Sequence, residues 1–70
     1  MDELEVFVTV VEAQGFSAAA KRLDSTPAAM SRRIKALEQR LGVRLLQRTT
    51  RTLKLTEAGE LYFREVSRLL

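Results

Sequence analysis

Apolar residues recur at helical spacing through the first half of the chain, and short polar stretches and glycines separate the runs. The first run places four apolar side chains on one helical face, at positions i, i+3, i+4 and i+7: Leu4, Phe7, Val8 and Val11. This spacing predicts a first helix over residues 2–14. Asp2 is its expected N-cap, with Glu5 in the capping-box position, and Gly15 is its expected C-terminal stop.

A short second helix and a longer third helix are expected next, with a tight turn between them. Ser17 is the expected cap of the second helix, over residues 18–23, where three consecutive alanines allow another helix to approach closely. Thr26 is the expected cap of the third helix, Pro27 occupies its favoured first position, and Gly42 is its expected stop. The apolar stripe of the third helix has four members: Met30, Ile34, Leu37 and Leu41.

The last third of the chain changes its period before it returns to a helical pattern. A short apolar patch is expected to close the core first: Val43, Leu45 and Leu46. Residues 48–55 then alternate with period two, with Leu53 and Leu55 on one side. This alternation predicts a half-buried two-stranded wing with Arg51 near its tip. Thr56 is the expected cap of a fourth helix that runs to the end of the chain.

The predicted fourth helix carries more apolar surface than one small domain needs to cover. Its apolar arc contains six candidates for a dimer interface: Leu61, Tyr62, Phe63, Val66, Leu69 and Leu70. One part of this arc is expected to pack on the first helix, and the rest to pair with a second copy of the chain. Val66 and Leu70 are expected to contribute more to association than to folding, and Leu61 to both.

The composition is that of a single small folded domain, with 70 residues, 46% of them hydrophobic and 30% charged. The chain has no cysteine and no histidine, so it lacks the commonest general base and the commonest metal ligands. We therefore expect no catalysis and no cofactor. No apolar run approaches the roughly 18 residues of a membrane span, and the acidic N-terminus lacks the basic region of a secretory signal. We expect a cytoplasmic protein.

The net charge of +3 is distributed unevenly along the chain. Residues 1–20 hold four acidic and no basic side chains, whereas residues 21–54 hold ten basic and two acidic side chains. A basic middle between acidic ends is typical of a surface that binds a polyanion such as nucleic acid. Charge alone leaves a merely solvated basic surface as an equal alternative.

The predicted order of elements is that of a mainly α winged helix-turn-helix, with the helix-turn-helix at about 17–36 and the wing at about 48–55. Three motifs, GFSAAAKRL, MSRRIKALEQRLG and LLQRTTRTLKLTEAG, occur in this order. Together they resemble the N-terminal domain of LysR-type transcriptional regulators. The resemblance implies a DNA-binding domain over residues 1–59 and the start of a linker and dimerisation helix over residues 56–70.

The resemblance also implies the partners of this chain. Regulators of this type are bacterial dimers, commonly tetramers, that bind an inverted-repeat operator in double-stranded DNA. A homodimer through the C-terminal helix, with the two helices antiparallel, is the implied arrangement. The effector-binding domain would be absent from this chain, and a small-molecule effector would bind outside it. The chain would thus be a fragment of a longer regulator.

Ser31, Arg32 and Lys35 lie opposite the apolar stripe of the third helix and match the family pattern. A helix fits the major groove, and its N-terminal half reaches the base edges. Arg32 is expected to contact guanine O6 and N7, Ser31 a base or a phosphate, and Lys35 a phosphate. By pattern alone, an exposed polar helix face is an equal alternative. All candidate DNA contacts are Ser17, Ala18, Thr26, Pro27, Ala28, Ser31, Arg32, Lys35, Arg48, Thr49 and Arg51.

The remaining candidates lie at helix starts and in the wing. Ser17 and Thr26 begin helices, whose N-terminal N–H groups and positive dipole end suit a phosphate, and simple capping is compatible with that role. An arginine such as Arg51 at a wing tip can enter the narrow minor groove. A solvated charged hairpin is the alternative for the wing, and Arg48 is also suited to a bracing salt bridge.

The sequence departs from the family pattern at the start of the third helix. Pro27 stands where family members often carry glutamine, and Ala28 stands where they carry proline. The usual side-chain contact at this point therefore cannot be carried over. Two other function classes stay open: a protein-interaction or dimerisation module without specific DNA readout, and an enzyme such as a nuclease. The absence of histidine, cysteine and clustered carboxylates disfavours the enzyme.

Overall fold

A computed structural model describes residues 2–48 and 53–69 of the chain. The elements are α1 (Glu3–Ala13), α2 (Phe16–Arg22), α3 (Pro27–Leu41), β1 (Leu46–Arg48), β2 (Leu53–Leu55) and α4 (Glu57–Ser67). This order confirms the predicted architecture of three helices, a two-stranded wing and a further helix. Among the described helices, none combines the length and the apolarity that a membrane crossing requires.

Helix α1 begins as predicted and ends one residue earlier than predicted. The Asp2 carboxylate accepts a hydrogen bond from the Glu5 N–H at 2.8 Å, which is the expected N-cap. The left-handed residue that ends the helix is Gln14, with φ 63°, and not Gly15. Gly15 instead adopts an extended backbone and begins α2. The predicted stop at Gly15 is therefore wrong, because the chain uses this glycine to start the next helix.

The buried face of α1 is rotated from the predicted one. Val6, Phe7 and Val10 are fully buried, whereas the predicted Leu4, Val8 and Val11 are only partly buried. Apolar residues surround most of this helix, so two different stripes satisfy helical spacing. Contacts with α2, α3 and α4 select the stripe that contains Val6 and Val10.

Helix α2 begins at Phe16, with Gly15 at its N-cap and no side-chain cap. The prediction that Ser17 caps this helix is therefore wrong, and Ser17 lies exposed within the first turn. Ala19 and Ala20 are buried, which confirms that the alanine run allows close packing between helices. The turn to α3 places Asp24 in the left-handed region, with φ 53°.

Helix α3 has the predicted boundaries. The Thr26 hydroxyl accepts a hydrogen bond from the Ala29 N–H at 3.1 Å, Pro27 occupies the first turn, and Gly42 ends the helix with φ 75°. Its stripe is buried at three of the four predicted positions: Met30, Ile34 and Leu37. The fourth, Leu41, is 40% exposed, because it borders an open apolar groove against α4 instead of entering the core.

The wing is an antiparallel pair in which Leu46, Gln47 and Arg48 face Leu55, Lys54 and Leu53 respectively. Pairing begins at Leu46, two residues before the predicted start of the wing. Leu45 and Leu46 are buried as expected, whereas Val43 is exposed and does not close the core. The predicted wing contacts Thr49 and Arg51, and the interface candidate Leu70, lie outside the described residues.

Helix α4 completes the core from one side. The Thr56 hydroxyl accepts a hydrogen bond from the Gly59 N–H at 2.9 Å, which confirms the predicted cap. The rings of Tyr62 and Phe63 meet the buried Phe7 ring edge to face, with centroids 5.5 and 6.2 Å away. Such pairs each contribute about 0.5–1.5 kcal/mol beyond simple burial. The described helix ends at Ser67.

Two expectations for the apolar arc of α4 do not fit the observed burial. Val66 is only 4% exposed, so its side chain contributes to this domain's own packing, and its predicted greater role in association is wrong. Leu61 is 58% exposed, so its predicted contribution to folding is wrong as well. The arc is wide enough to supply both a buried and an exposed face, and its width did not indicate which residue belongs to which.

Candidate nucleic-acid interface

Helices α2 and α3 form a helix-turn-helix whose second helix presents one face to solvent. Because Met30, Ile34 and Leu37 on the opposite side of α3 are fully buried, the orientation of this helix is fixed by the core. Ala28, Arg32 and Lys35 are exposed on the outer face, and Ser31 is half-buried at its edge. The structure therefore brings together the predicted contacts of the third helix.

The two basic residues of the outer face are electrostatically uncompensated within the described chain. Arg40, on another side of α3, pairs with Glu3 of α1, which joins the ends of the two helices. In residues 2–48 and 53–69, no carboxylate lies within ion-pairing distance of Arg32 or Lys35. Both charges are consequently available to a polyanion.

Gln39 extends this outer face and was not among the predicted contacts. It is exposed and follows Arg32 by seven residues and Lys35 by four, which puts the three side chains in one row. That spacing is the signal by which sequence reasoning could have found it. Its amide is suited to donate to a phosphate or to a base edge.

The first turns of α3 and α2 differ in which backbone N–H groups remain available to a ligand. In α3, Pro27 has no N–H and the Ala29 N–H is bound to Thr26, so Ala28 carries the available N–H of the first turn. In α2, no side chain caps the first turn, where Ser17 and Ala18 are both exposed. Uncapped N–H groups at the positive end of a helix suit a phosphate oxygen.

The described part of the wing carries exposed polar side chains on its paired strands. Gln47 and Lys54 face each other across the two strands, and both are exposed. Arg48 ends β1. The buried Leu46 holds the base of the wing in the core, so the hairpin projects from a fixed point.

Glu38 connects α3 to the wing, and the sequence analysis did not predict this contact. One of its carboxylate oxygens accepts the Leu45 N–H at 2.8 Å and the Leu46 N–H at 3.2 Å. These bonds join the last turns of α3 to the residues that begin β1. No local sequence pattern indicates them, because the partners are seven and eight residues away in a connecting loop.

A family model for bacterial regulatory helix-turn-helix proteins of the lysR family matches residues 1–60. This match covers most of the chain, including the helix-turn-helix, the wing and the start of α4. The chain belongs to the lysR family.

One similar lysR-family protein is the HTH-type transcriptional regulator CrgA of Neisseria meningitidis. It is 55% identical over 69 residues, which are 99% of this chain and 23% of CrgA. The E. coli K12 regulator DmlR is 44% identical over 70 residues, which are 100% of this chain and 23% of DmlR. The chain therefore spans about a quarter of the length of these curated relatives.

A solved structure of a related DNA-binding domain has the same fold. The CbnR DNA-binding domain in complex with DNA superposes with a TM-score of 0.90 at 40% identity. The alignment covers 96% of this chain and 77% of that one. This confirms that the chain folds as a lysR-family winged helix-turn-helix domain.

A second surface of the lysR-family fold is apolar and lies along α4. An open groove runs between the end of α3 and the outer side of α4, lined by Leu41, Val43, Leu45, Ala58, Leu61, Tyr62 and Glu65. Leu69, one turn beyond the end of the groove, is 77% exposed. Of the five predicted interface residues that the structure describes, Leu61 and Leu69 are thus exposed, Tyr62 and Phe63 are shared with the core, and Val66 is buried.

Among the described residues that line this groove, Tyr62 is the one whose pKa departs from its ordinary value. Burial raises the pKa of its hydroxyl above the ordinary value, Arg40 opposes the rise, and Glu3 adds to it. Within residues 2–48 and 53–69, no group of three or more acidic side chains comes together to hold a metal ion. The raised pKa of Tyr62 reflects its burial where α4 packs on α1.

Proposed function

We propose that this chain binds double-stranded DNA sequence-specifically, as the operator-reading domain of a bacterial transcription regulator. The observation that carries the proposal is the outer face of α3, opposite the buried Met30, Ile34 and Leu37. There Arg32 and Lys35 are exposed, and no carboxylate of the described residues pairs with either. A helix held in this way can enter the major groove without loss of the core. The DNA complex of the related CbnR domain supports the same interpretation.

Each residue of the outer face has a chemical role in this proposal. Arg32 donates to guanine O6 and N7, and Lys35 neutralises a phosphate. Ser31 donates to a phosphate or a base. The methyl group of Ala28 contacts a thymine methyl, and its N–H donates to a phosphate. Pro27 and Thr26 fix the start of the helix against the DNA backbone and supply no base contact.

Phosphate contacts from α2 and the wing complete the proposed interface. The uncapped N–H groups of Ser17 and Ala18 donate to one phosphate. Arg48, Thr49 and Arg51 contact the backbone or the minor groove beside the major-groove site. These contacts set position and affinity, and the α3 contacts set sequence preference.

The alternative is a protein-interaction module whose basic charge binds DNA without sequence preference. A duplex selected from a random pool by the purified chain separates the two functions. We expect fluorescence anisotropy to give at least about tenfold tighter binding to the selected duplex than to a shuffled duplex, since each wrong base pair costs about 1–3 kcal/mol. Equal affinity for both duplexes at moderate salt contradicts specific readout and favours the alternative.

The exposed side of α4 supports a homodimer. Leu61 and Leu69 face solvent beside an apolar groove, and an oligomer is a usual way to cover such a surface in a small domain. Two-fold symmetry would present two copies of α3 to an inverted-repeat operator. We propose that two chains pair through this side of α4, with the helices antiparallel.

Sedimentation of the chain at high concentration, alone and with the selected duplex, tests this dimer. We expect Leu61→Glu to reduce association without loss of folding, because Leu61 is exposed in the single chain. Ser67→Glu adds the same charge at an exposed polar position of the same helix and is the matched control. Association of Leu61→Glu equal to that of the control would rule out this side of α4.

The chain covers about a quarter of the length of its curated relatives, and this fraction supports a place within a longer regulator. We propose that residues 1–59 read DNA, that residues 56–70 begin a linker helix, and that an effector-binding domain lies outside this sequence. The complete regulator would be a cytoplasmic dimer or tetramer controlled by a small molecule. We propose no catalytic role, because the chain has no histidine or cysteine to act as base or nucleophile.

A further inference from the structure

We propose that Glu38 is a positioning residue that sets the wing relative to α3, so that both contact one DNA site at the same time. The inference rests on the proposed DNA binding by α3 and the wing. Its basis is one carboxylate oxygen that accepts two consecutive backbone N–H groups, those of Leu45 and Leu46. Charge-assisted bonds of this kind are shorter and stronger than neutral ones.

Glu38 joins the helix that carries the proposed DNA contacts directly to the first residue of the wing. Glu38 follows Lys35 by three residues, so it lies one turn further along the helix that carries the proposed base and phosphate contacts. Leu46 is the first residue of β1, and its pairing with Leu55 begins the wing. A displacement of the Glu38 carboxylate therefore acts directly on the wing, because Leu46 bonds to that carboxylate and is itself a residue of β1.

Helix α4 holds the same short segment from the other side. The Thr56 N–H donates to the Leu45 carbonyl at 2.9 Å, and the Thr56 hydroxyl donates to the Arg44 carbonyl. The N–H groups of the segment thus go to α3 and two of its carbonyls go to α4. Bonds on both sides therefore restrict how the segment that begins the wing can move relative to α3.

A wing that is already fixed relative to α3 loses less conformational entropy when it binds DNA. If the wing contacts DNA only when Glu38 holds it in register, a wing substitution loses its effect once Glu38 is removed. A substitution on the outer face of α3 keeps its effect, because the buried stripe positions that face independently of Glu38. This difference distinguishes positioning of the wing from a general loss of stability.

The test is a set of double-mutant cycles on affinity for the selected duplex. We expect Arg51→Ala to weaken binding about tenfold, or roughly 1.4 kcal/mol, in the wild type and less than about twofold in Glu38→Ala. Arg32→Ala should cost the same factor in both backgrounds. Glu38→Gln should keep most of the Arg51→Ala effect, because one amide oxygen can still accept both N–H groups, through neutral and therefore weaker bonds. Glu12→Ala, which removes an exposed carboxylate from α1 away from the proposed contacts, is the matched control.

The outcomes separate this inference from the proposed function. An equal Arg51→Ala effect in the wild type and Glu38→Ala overturns the positioning role, as does an Arg51→Ala substitution without effect in the wild type. A wild type that shows no specific affinity, or an Arg32→Ala variant that binds normally, contradicts the proposed function instead. If Glu38→Ala fails to fold, Glu38→Asp, whose oxygen is withdrawn by one methylene, replaces it in the same cycles.

Discussion

Gly59 allows α4 to lie directly against the segment that begins the wing, and Gly59→Ala tests this close approach. A methyl group at residue 59 would lie 2.0 Å from the Leu45 carbonyl oxygen, 2.9 Å from its carbonyl carbon and 3.1 Å from Leu55 Cδ2. Carbon and oxygen atoms in proteins approach to about 3.3 Å. Helix α4 and the Leu45 backbone must therefore separate by about 1.3 Å to admit the methyl group.

The free energy of unfolding should fall by about 1–3 kcal/mol. Overpacking costs about 1–3 kcal/mol, and the separation also weakens the bond from the Thr56 N–H to the Leu45 carbonyl, which contributes about 1 kcal/mol. Alanine is favoured over glycine inside a helix by about 0.8–1.0 kcal/mol, and this offsets part of the loss. For a domain of this size the midpoint of thermal unfolding should drop by about 5–20 °C.

Thermal and urea unfolding followed by circular dichroism measure this loss, and Gly15→Ala is the matched control. No atom beyond its chain neighbours lies within 4 Å of a methyl group at residue 15, and its backbone is extended, so this substitution should cost less than about 1 kcal/mol. If helix propensity governs residue 59, Gly59→Ala would be more stable than the wild type. Either that result or an unchanged midpoint would refute the close approach of α4 to Leu45.

Three further predictions concern binding and pH. Arg32→Ala should lose about 1–3 kcal/mol on the selected duplex and little on random DNA, whereas Lys35→Ala should weaken both similarly; equal losses for Arg32→Ala on both DNAs would make it a phosphate contact. The logarithm of the association constant should fall with the logarithm of salt concentration at a slope on the order of −4 to −8, and an affinity that is independent of salt would exclude phosphate contacts. Above about pH 10 the unfolded state loses the Tyr62 proton while the folded state retains it, so stability falls as pH rises through the raised pKa. Urea titrations should show a smaller alkaline loss for Tyr62→Phe, and identical losses would contradict the burial of this hydroxyl.

The sequence predicted best where a local signal determines the structure. A capping threonine, a proline in the first turn and a terminal glycine define the bounds of α3, and the observed bounds match them. The Thr56 cap of α4 was found for the same reason. Each of these signals acts through hydrogen bonds between residues three or four positions apart, so no knowledge of the tertiary structure is required.

Prediction failed where distant packing chooses between local alternatives. Helix α1 is apolar on most sides, and only its contacts with other helices select Val6 and Val10 over Leu4 and Val8. The burial of Val66 and the exposure of Leu61 depend in the same way on where α1 meets α4. The bonds of Glu38 join two elements through a loop, and no periodic pattern contains them.

The most direct test of the account is a titration of the isotopically labelled chain with the selected duplex, followed by NMR chemical shifts of the backbone amides. If the outer face of α3 reads DNA, the largest shifts fall on residues 28–35 of α3, with further shifts at Ser17 and Ala18. The acidic helix α1, which packs on the core and carries none of the proposed contacts, should change little. Shifts confined to α1 and α4, with α3 unaffected by a duplex that binds, would contradict DNA recognition by the outer face of α3.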